Sequence, residues 1–68
     1  MEREQIRVEG MACEHCVNAV TRAVSTLPGI GSVAVDLKAG TATVEYDPAL
    51  SPLDAIKGAI EDQGYDVL

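Results

Sequence analysis

The sequence predicts an α+β sandwich, with two helices on one face of a four-stranded antiparallel sheet. Three observations predict it. Apolar residues alternate with period two in three short segments and recur at helical spacing in two others. A last short segment is apolar enough for an edge strand. The resulting order is β-α-β-β-α-β, with Gly or Pro at most of the junctions.

Gln5 to Glu9 alternates polar and apolar residues, with Ile6 and Val8 on one face, and predicts a half-buried strand ended by Gly10. Residues 11–14 read as a loop. From Cys16 the period changes. Val17, Val20, Val24 and Leu27 recur at helical spacing beside Ala19 and Ala23, while Asn18, Thr21, Arg22 and Ser25 fill the opposite face. Pro28-Gly29 stops this helix of about three turns, because Pro cannot continue a helix and Gly tolerates positive φ. Val33, Val35 and Leu37 alternate with Ser32, Ala34 and Asp36. After Lys38-Ala39-Gly40, Ala42, Val44 and Tyr46 alternate with Thr41, Thr43 and Glu45. That pattern predicts an antiparallel hairpin, ended by Asp47-Pro48.

The second helix carries three agreeing start signals. Ser51 suits the cap, Pro52 the first helical position, and Asp54 the closing of a capping box at the positive helix end. Leu53, Ile56 and Ile60, with Ala55 and Ala59, form its apolar stripe, and Gly64 reads as its C-cap. Tyr65 to Leu68 supplies the edge strand. One sheet with both helices on one face buries every stripe, which is the ferredoxin-like, split β-α-β sandwich. Its two halves carry a weak pseudo-symmetry. Residues 1–68 read as a single domain without a linker or low-complexity segment.

Composition narrows the function classes. A chain of 68 residues buries only roughly 60% of its unfolded surface. No apolar run is long enough to span a membrane, and the charged start from Met1 to Val8 lacks the apolar stretch of a signal peptide. The simplest location is the cytoplasm, where two cysteines stay reduced. Formal charge is −6, from 11 acidic and 5 basic residues. Arg3, Arg7, Arg22, Lys38 and Lys57 are scattered, which argues against nucleic acid and against an anionic membrane surface. The aromatics are two Tyr, with no Trp or Phe, so no base-stacking platform exists and the core is expected to be aliphatic.

Both cysteines fall in Met11-Ala12-Cys13-Glu14-His15-Cys16, between the first strand and the first helix. Cys13 lies on the loop and Cys16 in the first helical turn. Unpaired N–H groups and the helix dipole favour thiolates there. Structural zinc needs four ligands, usually two pairs, and this chain offers two Cys and one His. A dithiol oxidoreductase would normally sit in a larger fold. Here neither residue between the cysteines is Pro, and no Trp precedes them. Two inert core thiols fit poorly with a Gly-flanked loop beside Glu14 and His15. A soft Cu(I) ion fits best, because thiolate selects it and two sulfurs satisfy a near-linear ion. Such an open site also suits transfer by thiolate exchange.

Gly10-Met11-Ala12-Cys13-Glu14-His15-Cys16 resembles the motif of the heavy-metal-associated domain family, and the resemblance extends over the whole chain. Val8-Glu9-Gly10-Met11 and Ile60 to Val67 look particularly like the bacterial CopZ-type copper chaperones. The resemblance implies a non-enzymatic cytosolic Cu(I) carrier. It implies Cys13 and Cys16 as the metal ligands, delivery to the N-terminal metal-binding domains of a copper-transporting P-type ATPase, and copper-bridged homodimers. A mercury or zinc/cadmium carrier of the same fold, or a small dithiol oxidoreductase, is the alternative. Zinc and cadmium relatives tend to carry an acidic residue just before the first Cys, and Ala12 stands there in this chain.

Met11 is expected to anchor the loop rather than ligate. His15 next to Cys16 would strain as a third ligand, so an outer role or plain solvation is expected. Tyr65 is expected beside the site, shielding it or donating a hydrogen bond to a sulfur. Gly10 and Gly64 are expected to be backbone devices. Met1 at the start, and an end just after the last strand, favour a free-standing protein.

Overall fold

A computed structural model describes residues 1–68. The elements are β1 (Glu2–Glu9), α1 (Glu14–Ser25), β2 (Ile30–Asp36), β3 (Thr41–Tyr46), α2 (Leu53–Glu61) and β4 (Asp66–Val67). They form one sheet in the order β2-β3-β1-β4, antiparallel throughout. Ile6 and Val8 of β1 and Ala42, Val44 and Tyr46 of β3 are buried with Val20 and Val24 of α1 and Ile56 and Ile60 of α2. Gln5, Arg7, Glu9 and Glu45, of opposite parity, are exposed. One sheet face therefore meets both helices, as the ferredoxin-like reading expected.

Several boundaries differ from the sequence reading. β1 starts three residues before Gln5, because β3 supplies backbone partners as far as Glu2 opposite Tyr46. Glu2 and Glu4 share the parity of Ile6 but lie exposed near the strand end, so main-chain pairing, not hydrophobicity, holds them. β2 starts at Ile30, with an irregularity between Ile30 and Ser32, and ends at Asp36. Leu37 lies in the turn, where the Asp36 carboxylate accepts the Ala39 N–H at 3.0 Å. α1 starts at Glu14, one residue inside the expected loop.

The start of α2 is also different. Pro52, not Ser51, holds the N-cap position, and no side chain caps the helix. Ser51 is 2% exposed and donates its hydroxyl to the Pro28 carbonyl at 2.6 Å. It ties the two helix-flanking loops together instead. A buried hydroxyl without such a partner would be costly. Asp62, not Gly64, is the C-cap of α2, although Gly64 does take a positive φ two residues further on. The core is not purely aliphatic, since Tyr46 is buried in it. Burial raises the Tyr46 phenol above its ordinary value, and Glu4 and Glu2 add to the rise.

This architecture gathers three connections at one end of the sheet. The segment after Glu9 leads into α1. The β2–β3 turn is tied to β1 where Val8 N–H donates to the Gly40 carbonyl at 2.8 Å. The α2–β4 connection arrives beside Gly10, where Tyr65 sits. No helix is long and apolar enough to cross a membrane.

Candidate metal centre

Cys13 occupies the N-cap of α1 in extended backbone, with φ −158 and ψ 176. Its carbonyl accepts the N–H groups of Cys16 and Val17 at 3.0 and 3.4 Å, which starts the helix. No side-chain oxygen caps this end. The Cys13 sulfur thus takes the place that Ser or Asp usually fills, at the positive pole of the helix dipole. Glu14, His15 and Cys16 form the first turn, so both thiols lie on one short arc of chain.

The two sulfurs are 3.9 Å apart. A disulfide would bring them to about 2.0 Å, and both cysteines are free. Cys13 is exposed and Cys16 half-buried. No three His, Cys, Asp or Glu side chains converge on one point. His15 is exposed and joins no such group. The arrangement offers two soft ligands on an open surface.

The Cys16 thiol is lowered from 9.0 to about 7. The largest cause is the Tyr65 hydroxyl, which stabilises the thiolate, followed by main-chain hydrogen bonding at Ala12 and Cys13. Partial burial opposes these effects, and the Cys13 thiol adds a smaller favourable one. The Tyr65 phenol is raised in return, first by this interaction and then by burial.

The sign of the pH dependence follows. A thiol more acidic in the folded state stabilises the fold once it is ionised. For Cys16 this contribution is complete above about pH 9 and is lost as pH falls through about 7. Tyr65→Phe keeps the ring and removes the hydroxyl. Its expected result is a Cys16 alkylation midpoint that climbs from about 7 back toward 9, read by iodoacetamide labelling across pH. An unmoved midpoint would remove the hydroxyl as the main cause.

The structure brings together most of the residues singled out from sequence. Met11 is half-buried and packs against the core, so it pins the loop from below. Gly10 has φ +100, and a Cβ there would lie 3.5 Å from the Tyr65 ring. That is ordinary van der Waals distance, so the positive φ, rather than the ring, calls for glycine here. Tyr65 is half-buried and packs on the core. Sequence reasoning missed the main-chain groups at Ala12 and Cys13 and the Gly40 tie. Backbone donors leave no mark in a side-chain motif. The glycine of the turn was the only available signal for the tie.

Residues 5–66 match the heavy-metal-associated domain. The chain is 48% identical over 67 residues to "Copper chaperone CopZ" of Bacillus subtilis (strain 168), covering 98% of this chain and 97% of that one. The solved structure of a CopZ metallochaperone superposes with a TM-score of 0.96 at 43% identity, covering 98% of this chain and all of that one. The Cu(I)-loaded N-terminal domain of a potential copper-translocating P-type ATPase from Bacillus subtilis superposes with a TM-score of 0.93 at 29% identity, covering 97% of this chain and 82% of that one. With the fold, the motif and the full-length likeness agreeing, the chain belongs to the heavy-metal-associated domain family.

Proposed function

We propose that this chain is a cytoplasmic Cu(I) chaperone that holds one ion between Cys13 and Cys16. The observation that carries the reading is an open pair of free thiols 3.9 Å apart, with no third ligand beside them. Metal–thiolate bonds of the order known for zinc are about 2.3 Å, so a near-linear ion would separate the sulfurs by roughly 4–4.6 Å. The thiols need to spread only a little to accept it. Harder ions seek more ligands, including oxygen or nitrogen, and the site supplies none.

The ion is cargo. An acceptor thiolate attacks it to give a three-coordinate bridge, one of the chain's own sulfurs leaves, and a second acceptor thiolate displaces the other sulfur in the same way. Copper stays Cu(I) throughout, and no electron moves. The acceptor we infer is an N-terminal metal-binding domain of a copper-transporting P-type ATPase. The likeness to such a domain supports this inference, because two similar sites exchange an ion with little net driving force. The same exposed geometry supports a second copy of the chain as a temporary partner in a copper-bridged homodimer. Met11 supports the loop, Gly10 and Tyr65 shape its flank, and His15 stays outside the coordination.

The test is competition against a colorimetric Cu(I) chelator, with Zn(II) uptake measured in parallel. The expected result is one tightly held Cu(I) per chain and weak zinc binding. Tight zinc with weak Cu(I) would overturn the reading.

A further inference from the structure

The segment that carries Tyr65 is seated by apolar contacts but opposed by charge. Tyr65 and Val67 pack on the core, and the Tyr65 ring lies against Gly10. Yet β4 pairs with β1 through only two residue pairs, and one of them sets Glu9 directly opposite Asp66. Like charges facing each other across antiparallel strands weaken the pairing. α2 ends with Glu61 and Asp62, and no basic residue stands in its last turn. Its negative pole thus meets two further carboxylates, the reverse of the favourable arrangement.

Other features point the same way. Gly58 lies inside α2, and a Cβ built there would have no neighbour within 4 Å. No packing requires glycine at that position, and glycine weakens a helix interior. Gly64 likewise has open space around it and a φ of +95. Beyond β4, the outermost tie is the Leu68 N–H donating to the Arg7 carbonyl at 3.0 Å. Proteins open locally where buried apolar contacts are few and ladders are short.

We propose that residues 62–68 form a strap that opens as a unit separate from the β1–β3 core. Opening lifts Tyr65 from Gly10 and uncovers Cys16 to an incoming thiolate. The use of the opening rests on the reading of Cys16 as a Cu(I) ligand. During handover the acceptor's sulfur–copper bond forms and the Cys16 sulfur–copper bond breaks. Cys16 leaves as thiolate, and copper remains Cu(I). The charge opposition makes the closed strap shallower than a neutral pair would.

Native-state hydrogen exchange on the metal-free full chain tests the opening. The amides of residues 65–68 are expected to exchange much faster than that of Val44, which is fully buried in β3. Glu9→Gln and Asp66→Asn should each slow the 65–68 amides by up to about fivefold, the range of one cross-strand pair. The double variant should gain less than the product of the two, because one repulsion is shared, and Val44 should not move. Copper handover to a chelator should slow by the same factor in both single variants. Exchange of the strap at the Val44 rate would overturn the proposal. So would unchanged strap exchange in both variants, or slowed exchange with unchanged handover. A wild-type chain that binds no Cu(I) defeats the functional reading instead, and the metal-free exchange data then decide the strap separately.

Discussion

Cys13→Ser is expected to abolish tight Cu(I) binding while making the metal-free protein slightly more stable. The two effects come from the same atom. Cys13 stands at the N-cap of α1, and no side chain caps that helix end. A serine oxygen accepts helix N–H groups at this position better than a sulfur does, and a good cap is worth about 0.5–2 kcal/mol over a poor one. A hydroxyl is also a hard, protonated donor that a soft Cu(I) ion does not prefer. With no third ligand to compensate, one sulfur must hold the ion alone. The affinity loss should exceed the roughly 10–100-fold cost of removing an outer-shell partner. Cys16→Ser should lose Cu(I) equally but gain no cap. Thermal unfolding of the two metal-free variants, set beside chelator competition, checks both signs. Copper binding that survives in either variant would remove the cysteine pair as the ligand set.

Ile56→Ala should be strongly destabilising. Ile56 is fully buried, in a core of nine residues that holds both helices on the sheet. Removing three carbons there costs the transfer energy plus the cavity left behind, about 2–5 kcal/mol. A domain of this length is stable by only about 3–10 kcal/mol, so the loss takes a large share. At about 4–8 °C per kcal/mol for a chain of this size, the unfolding midpoint should fall by at least about 8 °C. Urea unfolding should show a lower midpoint with an unchanged slope. A loss under about 1 kcal/mol would mean that α2 is not held by this contact. The cysteine loop is built on α1, whose Val20 and Val24 share the same core. The truncation should therefore reduce copper capacity only where the protein has unfolded.

Much of this molecule is legible in its sequence because the relevant signals are local. The helical recurrence of Val20 and Val24, and of Ile56 and Ile60, needs only neighbouring turns. The alternation of Ala42, Val44 and Tyr46 needs only adjacent residues. Both cysteines lie within one strand-to-helix junction, so their placement at a helix start follows from local chain geometry. Met11 is readable for the same reason, as an apolar residue in a loop that must return to the core.

What failed to read was decided by partners distant along the chain. Ser51 looks like a cap from its neighbours, but the Pro28 carbonyl claims its hydroxyl across the fold. Residues 2–4 look too polar for a strand, but β3 offers them main-chain partners. Leu37 fits the alternation, but the turn closed by Asp36 takes it out of β2.

The sequence by itself determined the order of the elements, the two-sulfur chemistry and its position at a helix N-terminus. Each of these depends on side-chain types a few residues apart. Only the tertiary structure decided how acidic that site is and what flanks it. The lowered Cys16 thiol owes most to Tyr65, brought from the far end of the chain over the bare backbone of Gly10. It decided equally that Glu9 faces Asp66, the residue next to that tyrosine in the chain. Strand pairing sets such oppositions, and the register between distant segments exists only once the sheet has formed.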